Sequence, residues 1–328
     1  MLVDQLNRLA IARYGLRLRA QAEASLPPFL GSTLRGAFGH ALKNAVCVMS
    51  HRDCERCLVA DRCFYPYLFE TPVPPDLPEL RGQQQAPHPF ILAPPIPKSL
   101  TQRQKVAAGE EITFGLTLMG RAVEMLPYVI YAVSEMARGG LGVDRARFEL
   151  SEVAEIESDG SATTIYSGQS QRITVCNTAG QNLGQLVRTR LDQLPPQDRL
   201  RLRFITPTRI RVAGDLQVGL SFELLVRNLL RRVSMLAAVH GEQALELDYR
   251  AIVGRAAEVR TSATALRWWD WERYSNRQQT KMKLGGFVGE IEYAGEMVNE
   301  FLPLIAAGEI LHVGNGTSFG LGRYRIAE

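Results

Sequence analysis

This sequence predicts an α+β protein of two tandem domains, each a split βαββαβ unit, the first carrying a cysteine-rich metal-binding insertion. Three observations lead there. The chain has 328 residues, more than the roughly 250–300 at which single cores stop growing. Its two halves repeat one order of strand, helix, glycine-flanked turn and strand. Four of its five cysteines fall between positions 47 and 63. A hydrophobic content of 46% and a charged content of 22% are those of an ordinary globular protein.

Residues 12–20 alternate as a strand, with Tyr14, Leu16 and Leu18 on one face. After Pro27-Pro28, Ser32 is the expected N-cap of a helix whose apolar positions are Leu34, Ala37, Phe38, Ala41 and Leu42. That helix runs into the cysteines. Residues 71–100, rich in Pro, Gln and His, read as an irregular excursion. A strand at 112–118, a helix near 121–138, the turn Gly139-Gly140-Leu141-Gly142 and a strand at 145–150 follow. Two short runs, 163–166 and 171–176, make a hairpin, and residues 179–199 a linker with a short helix. The second half opens with a strand at 200–205 and an amphipathic helix at 222–239. It closes with a strand at 289–293, a helix at 296–307, a glycine-rich turn and a strand at 323–326.

The echo is residue by residue in places. Met125-Leu126-Pro127, Gly140-Leu141-Gly142 and Arg145-Ala146-Arg147-Phe148 recur in order as Phe301-Leu302-Pro303, Gly320-Leu321-Gly322 and Arg323-Tyr324-Arg325-Ile326. Duplication of one unit fits a ferredoxin-like, RRM-like topology in each half. The expected domains are 1–190, with the insertion at 47–100, and 191–328.

No apolar run approaches the ~18 residues of a membrane span, and the N-terminus lacks the pattern of a secretion signal. The expected location is the cytoplasm, with no membrane partner. A net charge of +4 permits a polyanionic partner without requiring one. In a reducing compartment, clustered cysteines point to a metal rather than to disulfides. Cys47, Cys54, Cys57 and Cys63, spaced x6, x2 and x5, fit a structural tetrahedral zinc site, with an iron–sulfur cluster as the alternative. His51 could replace one of them. Four thiolates close the coordination sphere, so the site would be structural rather than catalytic. Cys176 reads as a small core residue.

Residues 267–283 interleave aromatics with cations: Arg267, Arg273, Arg277, Lys281 and Lys283 are interspersed with Trp268, Trp269, Trp271 and Tyr274. Aromatic faces stack unpaired bases while cations hold phosphates, the pattern of a single-stranded nucleic-acid surface. Arg201, Arg203, Arg209 and Arg211 make a second basic stripe. The segment 314–324 carries Gly314, Gly316, Gly320 and Gly322 around Ser318. Glycines let a backbone approach a ligand and present N–H groups to phosphate. A plain tight turn explains them equally well, and the segment follows a helix, which excludes a dinucleotide fingerprint.

The ending GNGTSFGLGRYRI resembles the C-terminal glycine-rich loop of the RAMP superfamily of CRISPR-associated proteins. LGSTLRGAFGHAL (30–42), RLRFITPTRI (201–210) and RWWDWERYSNRQQTKMKLGGFVGEIEYAG (267–295) resemble its sixth Cas family, the endoribonucleases that process precursor CRISPR RNA. The resemblance implies two ferredoxin-like domains that bind CRISPR repeat RNA, with other Cas proteins as further partners. It also implies cleavage by the RNA's own 2′-hydroxyl without a metal cofactor, leaving a 2′,3′-cyclic phosphate and a 5′-hydroxyl. Such a reaction needs a base, an acid and positive charge near the phosphate. His40 lies in the motif where that family often places its catalytic histidine, and a merely packed histidine is the competing reading. Lys43, one turn on, is the expected charge stabiliser, Tyr14 the nearest candidate for a catalytic tyrosine, and Arg35 a backbone contact. The RNA-binding set is then Arg35, Arg209, Arg267, Trp269, Arg273, Arg277, Lys281, Lys283, Gly314, Gly316, Ser318, Gly320 and Gly322. Two other functions compete with the nuclease: a RAMP-type subunit that holds RNA without cutting it, and an iron–sulfur redox protein.

Overall fold

The computed structural model describes residues 2–327 apart from 50–52, 78–84, 98, 100, 175–180, 213, 271 and 276–279; of 272–275 and 280–283 it describes the backbone. His51, Cys176, Trp271 and Arg277 therefore lie outside the described residues. The chain forms two compact units. One comprises residues 9–182 and 238–242, the other residues 1–8, 183–237 and 243–328. The division falls at Asn182/Leu183, and the opening helix Leu2–Leu6 groups with the later segment. There, Arg188 of the helix Leu183–Asp192 donates to Asn7 and pairs with Asp4 at 2.9 Å each.

In the first unit β1 is Ala10–Ala20 and α1 Gly31–Val46; β2 is Phe90–Ala93 and β3 Glu111–Met119. The unit continues with α2, Leu126–Gly139, and β4, Phe148–Ile156. The sheet order is β2-β3-β1-β4, every pair antiparallel. It is extended beyond β4 by the strand Ala162–Ser167 and then Arg172–Ile173. Period-two alternation explains β1: Tyr14, Leu16 and Leu18 are buried while Arg17 and Arg19 point out. On α1 the helical spacing buries Leu34, Phe38, Ala41 and Leu42. The N-cap is Leu30 rather than Ser32, which lies one turn-position inside the helix, and no side chain caps it.

In the second unit β5 is Arg199–Thr208, α3 Phe222–His240, β6 Arg260–Trp269 and β7 Gly286–Ala294; α4 is Val298–Leu311 and β8 Tyr324–Ala327. The sheet order is β6-β7-β5-β8, again antiparallel throughout. Numbered within each βαββαβ unit, both orders are 2-3-1-4, the ferredoxin-like arrangement. The repeated fold is therefore present in both halves.

Two strands depart from expectation. The supposed excursion at 71–100 contains β2, whose run Phe-Ile-Leu-Ala is short, fully covered and flanked by prolines, so it offers no alternation to detect. The segment opening at Arg267 begins on β6, which precedes an antiparallel hairpin of 272–275 with 280–283. No described helix is long and apolar enough to cross a membrane.

Candidate functional site

In the first unit, His40 stands on α1 with its side chain exposed and without a hydrogen bond or ion pair among the described residues. Its neighbour Gly39 is buried, and a Cβ there would come within 2.7 Å of the Phe69 ring. One side of the helix is thus pressed onto the π-helical turn Pro66–Glu70, and the imidazole is left on the open side. Phe69 in turn packs on Phe38 and Phe90, with ring centroids 5.4 and 5.0 Å apart. These rings anchor the insertion to the core.

The residues expected to assist His40 are placed elsewhere. Tyr14 is 3% exposed in the core of the first unit, facing away from solvent, so it cannot supply a surface phenol beside His40. Lys43 extends its ammonium over the Tyr65 ring, 4.9 Å from the centroid, and lines one cavity with Cys54. It belongs to the wall of the cysteine cavity. Arg35 lies over the Phe69 ring at 5.2 Å and donates from Nη2 to His88 Nε2 at 3.1 Å. Because arginine has donors only, that bond assigns the His88 proton to Nδ1, from where it reaches Thr71 Oγ1 at 2.7 Å. Arg35 is therefore a brace between α1 and the later part of the insertion, a role the one-dimensional spacing did not signal.

All four clustered cysteines line one small cavity, together with Lys43, Met49, Asp53, Tyr65 and Pro66. None is in a disulfide. Their sulfurs surround the space rather than meet: among the described residues no three His, Cys, Asp or Glu side chains converge on a point that could hold an ion. Burial pushes the Cys54 thiol pKa up, and the neighbouring Lys43 partly offsets this. Four thiols thus share one cavity with an ammonium in its wall.

In the second unit the glycine-rich segment is locked into the fold. Gly314, Gly316, Gly320 and Gly322 all have φ between 73° and 83°, which a side chain would strain. Asn315 N donates to Arg209 O at 2.9 Å and Gly322 N to Pro207 O at 3.0 Å. Thr206 is a clamp missed in the sequence: its hydroxyl donates to Gly320 O at 2.7 Å and accepts from Arg323 N at 2.9 Å. Ser318 is buried, and Arg209, 8% exposed, donates to Gly285 O at 2.8 Å. These residues explain the glycines by backbone packing, and they correct the expectation that Arg209 and Ser318 present open surface to a ligand. His312, which precedes the loop, is buried with φ 58° and its Nδ1 3.1 Å from Leu321 O. Desolvation, with Arg323 and Arg232 adding repulsion, lowers its pKa to about 3.

Arg267 is exposed on β6, whereas Trp269 is 5% exposed and packs inward, so it offers no stacking face. Arg273, Lys281 and Lys283 belong to the hairpin, opposite Met282, Tyr274 and Glu272 in register; their side chains lie outside the described residues, as does Arg277. The basic stripe of β5 is matched by β7: Arg199 and Arg201 pair with Glu292, and Arg203 with Glu290, at 3.0–3.1 Å.

Comparison with known proteins accords with this architecture. Residues 9–178 match a family model for an N-terminal domain, AF_1859_N, and residues 202–324 match CRISPR-associated endoribonuclease Cas6. An "uncharacterized protein" of Archaeoglobus fulgidus is 24% identical over 306 residues, 92% of each chain. Among solved structures, a Cas6 product complex aligns over 97% of this chain and 99% of that one, at 16% identity and a TM-score of 0.54. Thermus thermophilus Cas6 aligns over 96% and 98%, at 14% identity and 0.51. A partial Cas6-RT-Cas1–Cas2 complex aligns over 97% of this chain but 46% of that one, at 11% identity and 0.60. The structural likenesses establish the shared fold, residues 202–324 are similar to the Cas6 endoribonuclease model, and the match over residues 9–178 shows that the chain belongs to the family defined by the AF_1859_N N-terminal domain.

Proposed function

We propose that this protein binds CRISPR repeat RNA in precursor transcripts and cleaves it through the 2′-hydroxyl, with His40 as the catalytic base. The observation that carries the reading is the exposed imidazole of His40, unengaged among the described residues, on α1 of a chain whose residues 202–324 match the Cas6 model. Neutral imidazole accepts the 2′-hydroxyl proton near neutral pH. The 2′-oxygen then bonds to phosphorus, the P–O5′ bond breaks, and the departing oxygen takes a proton from water. The products are a 2′,3′-cyclic phosphate and a 5′-hydroxyl. No step uses a metal. Neither Tyr14 nor Lys43 enters the chemistry, because one is in the core and the other faces the thiols.

We assign phosphate contacts to Arg267, to Arg273, Lys281 and Lys283 of the adjoining hairpin, and to Arg277, a density of cations along the sequence that suits a polyanion. Other Cas proteins are partners in the same reading, supported by the similar fold of a protein solved in a Cas6-RT-Cas1–Cas2 complex.

The test is cleavage of repeat RNA in EDTA with end-group analysis. Wild-type protein is expected to cut and leave a cyclic phosphate. His40→Ala is expected to lose about 10²–10⁴-fold in rate while binding RNA with unchanged affinity. Intact RNA after incubation with the wild-type protein, with or without magnesium, overturns the enzyme reading in favour of an RNA-holding subunit.

A further inference from the structure

We infer that Cys47, Cys54, Cys57 and Cys63 bind one Zn²⁺, and that Lys43 is the positioning cation that balances the charge of the four thiolates. The first argument is what the insertion lacks. Between Cys47 and Cys63 no described residue is buried, while Val48 and Leu58 are 83% and 93% exposed. A segment without an apolar core of its own must be held by other bonds if it is to keep a fold. The side chains it turns inward are the four cysteines with Met49 and Asp53, and all of them line the same cavity.

The second argument is how the backbone presents the thiols. Cys47 caps the C-terminus of α1, its N–H bonded to Lys43 O at 3.0 Å. Cys54 and Cys57 flank one turn, closed by Cys57 N to Cys54 O at 3.3 Å. Cys63 caps the short 3-10 turn Ala60–Arg62. Three separate local structures thus place the four cysteines on one cavity, and because the side chains do not converge among the described residues, binding the ion requires rotation about χ1 between staggered positions. Four thiolates around a divalent ion carry a net charge of −2, which a cation outside the coordination shell stabilises. Lys43 occupies that place, over the Tyr65 ring in the wall of the cavity that the four cysteines line. Since Lys43 and Cys47 both belong to the end of α1, the ion ties the insertion to the helix that carries His40.

Metal content tests this independently of RNA cleavage. Protein purified without chelator is expected to hold about one zinc per chain and to be colourless, and to give intense visible bands when Co²⁺ replaces zinc. Cys54→Ser and Cys57→Ser are expected to lower zinc to under about a tenth of that, and Cys176→Ser to leave it unchanged. Lys43→Met is expected to keep the zinc but release it to a chelator several-fold faster. Limited proteolysis of chelated protein is expected to cut first between residues 47 and 63. Protein that contains no zinc and takes none up from added Zn²⁺ overturns the inference, as does bound iron with visible absorbance. If the serine variants fail to fold, the wild-type zinc content decides the matter alone. Release from Lys43→Met at the wild-type rate overturns the role given to Lys43.

Discussion

In the first unit β4 is entered through Gly140-Leu141-Gly142, and in the second β8 is entered through Gly320-Leu321-Gly322. Both leucines are buried, and the glycines of both turns have positive φ. The surroundings differ. The first turn closes on itself, with Leu141 and Ala146 exchanging backbone bonds of 2.9 and 3.1 Å. The second is bound to its neighbour β5 through Pro207 and the Thr206 hydroxyl. The helices leading in differ too: α2 ends on Gly140, whereas α4 ends on His312, a histidine in a left-handed backbone conformation. One sequence motif therefore makes a turn closed by its own backbone bonds in one unit and a strut of the sheet in the other.

Acid should expose this difference most strongly. His312 in the folded protein resists protonation down to about pH 3, while the unfolded chain takes up that proton near 6.5. Between those values the unfolded state binds more protons. Stability from this group is therefore full above about pH 6.5 and is lost as pH falls, by up to about 1.4 kcal/mol per unit. Urea titrations from pH 7 to pH 4 should show the slope in wild-type protein and its loss in His312→Asn; parallel slopes would break the comparison.

The matched glycines come next. A Cβ on Gly322 would lie 1.8 Å from Val313 O, whereas one on Gly142 would lie 3.0 Å from Ser25 O. Gly322→Ala is expected to cost about 3–4 kcal/mol and Gly142→Ala about 1–2 kcal/mol, read from denaturation midpoints. Equal losses would mean that the two turns are held alike. Thr206→Val removes a buried donor and acceptor together and is expected to cost about 2 kcal/mol. Smallest is the arginine stripe that both sheets share. Arg17 and Arg19 pair with Glu152 and Glu111 in one unit, Arg201 with Glu292 in the other, all with exposed guanidinium groups. Arg201→Ala should change stability by no more than about 0.5 kcal/mol; a loss above 1 kcal/mol would show that the stripe is part of the fold's support.

The elements that could be read from the chain are those whose pattern is local. β1 and β5 alternate cleanly because one face of each sheet is covered, and α1 and α3 carry helical apolar spacing. β2 escaped because both its faces are covered, and β6 because its residues before Trp269 are largely exposed and give no apolar period. His40 could be picked out because the motif that carries it is contiguous. The surroundings of its neighbours could not: whether Lys43 meets a phosphate or a thiol depends on where a segment ten residues later folds back, and Arg35 is braced by a histidine 53 positions away.

Composition, periodicity and the internal echo were enough to determine two ferredoxin-like units, the cysteine cluster and the helix bearing His40, because each is written in residues close together along the chain. Tertiary structure alone decided which side chains reach solvent. Tyr14, Arg209, Trp269 and Ser318 are residue types that serve equally in a core or at a surface, and only packing against distant segments buries them here. The glycine-rich ending was likewise a phosphate loop or a packed turn until tertiary structure set the backbone of Thr206–Arg209 against it, with no room for a Cβ at Gly314 beside Arg209 or at Gly322 beside Val313.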